Sequence, residues 1–179
     1  MKRVDLEHVL RAASAITNER EFIVIGSQAV LGQFPDAPAE LLVSDEVDIY
    51  PRDRPELADL IDGAIGELSF FHDEFGYYAQ GVGPTTAILP AGWEARLVAV
   101  TNDNTRGAVG HCLELHDLLA AKYVAARDKD RRFCRDAVRR GLAQEATLLE
   151  RIAQLPVEDE RKRVLETEVV SDFAAARRA

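Results

Sequence analysis

The sequence has no apolar run of about 18 residues, the length that a membrane-spanning helix requires, so no transmembrane segment is expected. The first residues turn acidic at once, and no apolar signal-peptide region is expected there. Cysteine is scarce: Cys112 and Cys134 are the only two, and their spacing matches no metal-ligand motif. Because a reducing compartment is the simplest explanation of this usage, we expect a cytoplasmic protein that does not interact with membranes.

Basic residues are also in the minority, 22 against 31 acidic residues, and the net charge of −9 argues against a general nucleic-acid binder. The charge is unevenly distributed. Residues 36–74 contain twelve acidic and two basic residues, whereas residues 122–140 contain eight basic and three acidic residues. The second stretch could hold a triphosphate or an RNA backbone, and it could equally be a solvated helix face that offsets the acidic stretch.

The length of 179 residues and the apolar content of 47% fit one globular domain, or one domain with a small helical appendage. Hydrophobic periodicity and turn residues predict helices at 4–18, 28–34, 55–68, from about 116, at 131–155 and at 158–178, and strands at 21–25, 42–50, 70–82, 86–89 and 94–100. This order predicts an α+β protein, a mixed sheet flanked by helices with a helical C-terminal half. We place the core in residues 1–110 and the helical region in residues 111–179.

A β-branched apolar run, Phe22–Ile25, stops at Gly26-Ser27. This pattern predicts a buried strand that ends in a tight turn, with a helix behind it that Ser27 can cap. Backbone N–H groups at such a helix start bind phosphate well. Gly26 and Ser27 are therefore candidate phosphate-binding residues, although a Gly-Ser turn after a strand is also common without any ligand.

Two acids at a spacing of two follow on the next predicted strand. Side chains alternate between the faces of a strand, so Glu46 and Asp48 share one face while Asp45 and Val47 point the other way. A rigid pair of carboxylates suits a hard, oxygen-ligated cation such as Mg²⁺. The alternative is that both acids are simply solvated on an exposed strand face.

The combination of Gly26-Ser27, a spacer and Glu46-Val47-Asp48 resembles the first motif of the nucleotidyltransferase (DNA polymerase β-like) superfamily. Most members carry aspartate where this chain has Glu46. The resemblance implies the nucleotidyltransferase fold, a Mg²⁺ cofactor held by Glu46 and Asp48, and binding of the β- and γ-phosphates of a nucleoside triphosphate at Gly26 and Ser27.

A later segment, 112–130, contains the pattern Leu-x-x-His-Asp-Leu-x-x-x-Lys-x-x-Ala-x-Arg-x-Lys-Asp. It resembles the AbiEii-like nucleotidyltransferase group, to which MenT-type toxins belong. By that resemblance Lys122 contacts nucleotide phosphate, and Arg127 and Lys129 are flanking basic positions. Asp130 is the candidate third catalytic acid, although Asp128 lies only two residues away. The resemblance further implies transfer of a nucleotide from an NTP to an acceptor, with tRNA ends as acceptors for some toxins and an antitoxin protein as a partner.

Two other functions stay open. Glu46 in place of aspartate favours a catalytically degenerate member that binds a partner or a nucleotide. The acidic surface favours an enzyme that nucleotidylates a cationic small molecule such as an antibiotic.

Two further charged residues have predicted roles. Asp117 is predicted to cap the helix that starts near His116. Arg96 is predicted either to face substrate or to pair with an acid.

Overall fold

The computed structural model describes residues 1–178 and divides into two compact units. The sheet unit comprises Met1–Thr86 and Leu97–Glu114, and the helical unit comprises Ala87–Arg96 and the chain from Leu115 onward. Within residues 1–178, no helix is both long enough and apolar enough to cross a membrane. The short segment Ala87–Arg96 thus belongs to the helical unit, although it lies in sequence between strands of the sheet unit.

The sheet unit is built on a mixed five-stranded sheet. Its strands are β1 (Glu21–Ile25), β2 (Glu46–Pro51), β3 (Tyr78–Gly81), β4 (Val98–Val100) and β5 (Val109–Cys112), in the spatial order β3-β2-β1-β5-β4. The β1–β5 and β2–β3 pairs are parallel, and the β1–β2 and β4–β5 pairs are antiparallel. This arrangement places β1 and β2 side by side, so the Gly-Ser turn and the acidic strand are neighbours.

Four helices accompany this sheet: α1 (Arg3–Thr17), α2 (Val30–Gln33), α3 (Ala58–Ile65) and α4 (Phe70–Phe75). Three-residue 3₁₀ helices occur at Ser27–Ala29, Ala39–Leu41, Pro55–Leu57 and Asp103–Thr105. Leu6, Val9, Leu10 and Ala13 of α1 are fully buried, whereas Val4 at its start is 57% exposed. Leu10 packs so closely on β5 that a Cβ at Gly110 would lie 2.7 Å from its Cδ1. Apart from Val4, the apolar stripe predicted for residues 4–18 therefore lies on the buried or partly buried side of the helix, as expected for an amphipathic helix.

The helical unit contains a 3₁₀ helix at Trp93–Arg96, followed by α5 (Leu115–Ala125), α6 (Asp128–Arg139), α7 (Glu145–Ala153) and α8 (Asp159–Ala176). Helix α5 is buried around most of its circumference, which is typical of a central core helix. The other helices bury one apolar side each, with Phe133, Leu148 and Leu165 among the residues concerned. The predicted α+β class and the helical C-terminal half are confirmed.

The strand predicted for residues 70–82 is present in only part of that range. Residues 70–82 were predicted to be extended, but Phe70–Phe75 forms α4 and only Tyr78–Gly81 forms a strand. The side chain of Ser69 caps this helix by accepting a hydrogen bond from the His72 backbone N–H at 3.2 Å, and Gly76, with φ of 73°, ends it. Local capping therefore overrides the strand preference of the aromatic residues.

Further predictions differ from the structure. No strand occurs at 86–89, and the strand predicted at 94–100 is confined to Val98–Val100 after a 3₁₀ helix. The single helix predicted for 131–155 is two helices, α6 and α7. The chain breaks at Gly141, which adopts φ of 68°, a conformation that glycine tolerates and that ends α-helices.

Candidate active site

The turn after β1 is shaped by a close approach between Gly26 and Asp48. Ile25, the last residue of β1, pairs with Asp48 on β2. Gly26 follows with φ of 70° and ψ of −171°, a backbone conformation that is essentially restricted to glycine. A Cβ built on Gly26 would lie 1.8 Å from Oδ2 of Asp48. The missing side chain at residue 26 thus makes room for the carboxylate of residue 48.

The helix behind the turn is shorter than predicted. Ser27 lies inside the 3₁₀ helix Ser27–Ala29, so it does not cap α2, which begins only at Val30. Gln28 is fully buried, and its side-chain amide donates a hydrogen bond to the Ser44 carbonyl at 2.7 Å. This bond fixes the turn to the segment just before β2, a contact that the sequence pattern did not reveal.

The acidic strand has the alternation that the sequence predicts. Val47 and Ile49 are fully buried, while Glu46 and Asp48, which alternate with them, are partly exposed. Asp45 is exposed and immediately precedes the strand. The two carboxylates therefore share one face of β2, and Asp45 lies outside the pair.

Tyr78, on the neighbouring strand, contacts the first of these acids. Its Cα is paired with that of Glu46 in the parallel β2–β3 register, and its hydroxyl donates a hydrogen bond to Glu46 Oε2 at 3.1 Å. Burial, followed by the charge of the Glu46 carboxylate, raises the pKa of Tyr78 to about 12. Tyr78 is thus held as a hydrogen-bond donor, and it is a site residue that sequence reasoning missed.

The donor set on β2 fits Mg²⁺. No group of three or more His, Cys, Asp or Glu side chains suited to a metal ion occurs within residues 1–178. Mg²⁺, however, is usually bound by one or two carboxylates together with substrate phosphates and water. The pair Glu46 and Asp48 supplies that number of protein oxygens, and the space left by Gly26 gives Asp48 room beside the turn.

The predicted phosphate-binding lysine belongs to the helical unit and is buried. Only 6% of Lys122 is exposed, and its Nζ lies 3.0 Å from Oδ1 of Asp130 and 4.6 Å from the ring centroid of Phe133. The connection from α5 to α6 is short: Ala126 turns the chain with φ of 54°, and Arg127 immediately precedes α6. This tight turn brings Lys122 on α5 next to Asp130 in the first turn of α6.

Asp130 is fully buried and accepts hydrogen bonds from two cations. Besides Lys122, Arg127 donates from Nε to Oδ2 at 2.6 Å and from Nη2 to Oδ1 at 3.3 Å. Burial acts to raise the pKa of Asp130, but the hydrogen bonds and charges of Arg127 and Lys122 outweigh it and hold the pKa below its usual range. Asp130 is therefore an ionised carboxylate at the centre of a buried ion-pair cluster.

The other charged residues predicted here, Asp128 and Lys129, are exposed on α6. Of the eight predicted site residues, the structure places Gly26, Ser27, Glu46 and Asp48 in the sheet unit. Within the helical unit it joins Lys122, Arg127 and Asp130 through their charges.

A second buried carboxylate in the helical unit has a role that the sequence did not indicate. Asp117 does not cap α5; it lies inside the helix with no exposed surface. Arg96 donates two hydrogen bonds to it, at 2.8 and 2.9 Å, and Arg151 Nε lies 3.4 Å from Oδ1. His116 Nε2 accepts a hydrogen bond from the Gln144 backbone N–H at 2.9 Å. These pairs anchor Trp93–Arg96 and α7 to α5. Of the two alternatives left open for Arg96, a substrate contact or a pair with an acid, the structure shows the acid pair.

The fold and the strand carboxylates together define an α+β protein in which a glycine turn adjoins an acid-x-acid strand. The chain belongs to the family described as "Nucleotidyltransferase of unknown function (DUF6036)", whose model matches residues 4–177. The comparisons with curated proteins and with solved structures gave no match. The family description supports the nucleotidyltransferase superfamily, and the AbiEii-like subgroup stays a prediction.

Proposed function

We propose that this protein is a metal-dependent nucleotidyltransferase that moves a nucleotide from an NTP to an acceptor. The observation that carries the proposal is the fit between Gly26 and the carboxylate of Asp48, with Glu46 on the same strand face. The glycine turn alone, without the Asp48 carboxylate beside it, would carry no functional meaning. The two acids alone, without the turn, could simply be solvated on an exposed strand face. Their combination is what phosphate and a hard cation require.

In the proposed reaction, a hydroxyl oxygen of the acceptor bonds to the α-phosphorus of the NTP. The bond from the α-phosphorus to the bridging oxygen breaks, pyrophosphate leaves, and the hydroxyl proton passes to a base or to solvent. Glu46 and Asp48 would hold Mg²⁺, which when bound neutralises phosphate charge and orients the triphosphate. Gly26 and Ser27 are proposed to place the backbone of the turn against the β- and γ-phosphates.

Lys122 is proposed to neutralise charge on the leaving pyrophosphate, with Arg127 and Lys129 as supporting cations. The sequence resemblance gave Asp130 the role of a catalytic acid. Its contacts favour a different role, because both carboxylate oxygens accept hydrogen bonds from cations and none of its surface is exposed. We therefore propose that Asp130 acts through Lys122, by fixing the position of its amine.

The acceptor proposed from the sequence resemblance is a tRNA end, with the protein acting as the toxin of a toxin–antitoxin pair. Helix α6 and its flanking residues support a polyanionic acceptor. Their exposed side chains include seven basic residues: Arg127, Lys129, Arg131, Arg132, Arg135, Arg139 and Arg140. Asp128 is the single exposed acid between residues 127 and 140, since Asp130 and Asp136 are buried. A surface of this kind favours a phosphate backbone.

The test is incorporation of nucleotide from each of the four α-labelled NTPs, with Mg²⁺, into total RNA. We expect labelling by the wild-type protein and a loss of about a hundredfold or more in Asp48→Asn and Glu46→Gln, since an amide is a poor Mg²⁺ ligand. Glu46→Asp should retain transfer because it keeps the charge. Asp45→Asn is the matched control, one residue outside the pair, and it should label normally.

Three outcomes would change the proposal. Loss in Asp45→Asn without loss in Glu46→Gln would place the metal on the other strand face. Labelling of a cationic small molecule in place of RNA would favour the antibiotic-type enzyme, for which the acidic stretch 36–74 argues. Nucleotide binding without transfer to any acceptor would favour a non-catalytic binding protein.

A further inference from the structure

The side chain of Glu46 has one more rotatable bond between its backbone and its carboxylate than an aspartate would have. A long side chain loses rotamer freedom when it is fixed, and Mg²⁺ demands near-ideal ligand geometry. An unrestrained glutamate would therefore be a poor ligand at a strand position. The structure contains a restraint, because the Tyr78 hydroxyl donates to Glu46 Oε2 at 3.1 Å.

Tyr78 is itself held by its strand and by a neighbouring ring. Its backbone is part of β3, in register with Glu46 on β2. Its ring lies 4.6 Å, centroid to centroid, from the ring of His72. His72 is held in turn, because its Nδ1 accepts a hydrogen bond from the Leu68 backbone N–H at 3.1 Å. The hydroxyl therefore meets Glu46 from a defined direction, and the hydrogen bond orients the carboxylate.

We propose that Tyr78 is a positioning residue for metal binding, whose hydroxyl fixes the Glu46 carboxylate in the orientation that a divalent cation requires. This inference rests on the proposed function, since it assumes that Glu46 is a metal ligand. Groups that hydrogen-bond to metal-ligating carboxylates orient them, and their removal typically weakens metal affinity by about 10- to 100-fold. Tyr78 has the donor, the distance and the rigid support for that role.

The experiment measures Mn²⁺ binding to the full chain by electron paramagnetic resonance, in the presence of a non-hydrolysable NTP analogue. Mn²⁺ shares the preference of Mg²⁺ for oxygen ligands and reports binding without turnover. We expect Tyr78→Phe to weaken Mn²⁺ binding about tenfold. Tyr77→Phe is the matched control, because its hydroxyl lies within hydrogen-bond distance, 2.9 Å, of His8 Nδ1, and it should bind Mn²⁺ as the wild type does.

A double-variant cycle separates positioning from general destabilisation. In Glu46→Asp the shorter side chain no longer reaches the tyrosine hydroxyl, so adding Tyr78→Phe to it should cause no further loss of Mn²⁺ affinity. An equal loss in both backgrounds would overturn the inference, because it would show an effect that does not pass through Glu46.

The same measurements distinguish this inference from the proposed function. If the wild type binds Mn²⁺, Asp48→Asn abolishes binding and Tyr78→Phe binds normally, the metal site stands and the role of Tyr78 is overturned. If the wild type does not bind Mn²⁺ with the NTP analogue, the metal assignment of Glu46 and Asp48 is overturned, and the role of Tyr78 with it.

Discussion

Oδ2 of Asp48 lies 1.8 Å from the point where residue 26 would carry a Cβ, so Gly26 and Asp48 are matched to each other across neighbouring strands. The backbone conformation at Gly26 adds a second, independent reason for glycine, because φ of 70° with ψ of −171° strains any other residue. The turn and the carboxylate therefore form one structural feature, and a change at either residue affects the other.

The first prediction concerns Gly26→Ala. We expect a loss of at least about 2 kcal/mol in the free energy of unfolding, from backbone strain and from displacement of the Asp48 carboxylate. Urea denaturation measures the effect. Gly63→Ala is the control: Gly63 lies within α3, a Cβ there meets nothing within 4 Å, and alanine should stabilise the helix by about 0.5 to 1 kcal/mol. Equal stabilities for the two variants would contradict this account of the turn.

The second prediction concerns the buried cluster around Asp130. Asp130→Asn leaves Lys122 buried without its full counter-charge, and we expect a loss of about 3 to 5 kcal/mol in the free energy of unfolding. The loss of unfolding free energy in the double variant Lys122→Met/Asp130→Asn should be smaller than the sum of the two single losses, because neither charge is then buried without its partner. The exposed neighbour gives the control: Asp128→Asn should stay within about 0.5 kcal/mol of the wild type. Additive losses would show that the two residues do not depend on each other.

The third prediction is a pH dependence with a defined sign. The pKa of Asp130 is lowered in the folded protein, so near its unfolded-state value of about 3.9 the unfolded chain binds more protons than the folded one. The contribution of Asp130 to stability is therefore present above that pH and is lost as the pH falls through the folded-state pKa. Urea midpoints of the wild type and Asp130→Asn, measured from pH 7 to pH 3, should differ by a constant amount above about pH 5, and the difference should shrink below about pH 4. A constant difference across that range would contradict the assignment.

The fourth prediction concerns the two cysteines, which are buried and free of disulfides. Burial raises the pKa of Cys112 to about 12, and it also raises the pKa of Cys134. Since the thiolate is the reactive form, neither residue should react with a thiol reagent at pH 8 while the protein is folded, and both should react in denaturant. Rapid labelling of the native protein would show that one of these sites opens locally.

The parts of the candidate site that the sequence predicted are those governed by local pattern. The alternation of Val47 and Ile49 with Glu46 and Asp48 is a property of the strand itself, and the structure has it. The turn at Gly26 was predicted from a β-branched run that stops at glycine. The close approach to Asp48 could not be predicted, because it depends on the pairing of β1 with β2.

The residues that sequence reasoning missed or described incompletely depend on contacts distant in the chain. Tyr78 reaches Glu46 across 32 positions through the β2–β3 register, and Arg96 reaches Asp117 across 21. Asp117 resembled a helix cap because aspartate is common there, and only the folded structure shows that it is buried and paired with Arg96 and Arg151. An aromatic strand after an acidic one was the one local signal that could have suggested the Tyr78 contact.

The pairing of Arg96 with Asp117 has a consequence for how this protein can be divided or recombined. The chain leaves the sheet unit after Thr86, returns at Leu97 and leaves again after Glu114, and the excursion carries Arg96 to its buried partner. A fragment cut near residue 110 would retain the arginine and discard the aspartate. Recombination at that point between related genes would pair an Arg96 with an Asp117 of different ancestry. The two units are therefore expected to be inherited as one evolutionary module, with no single junction at which either can be exchanged.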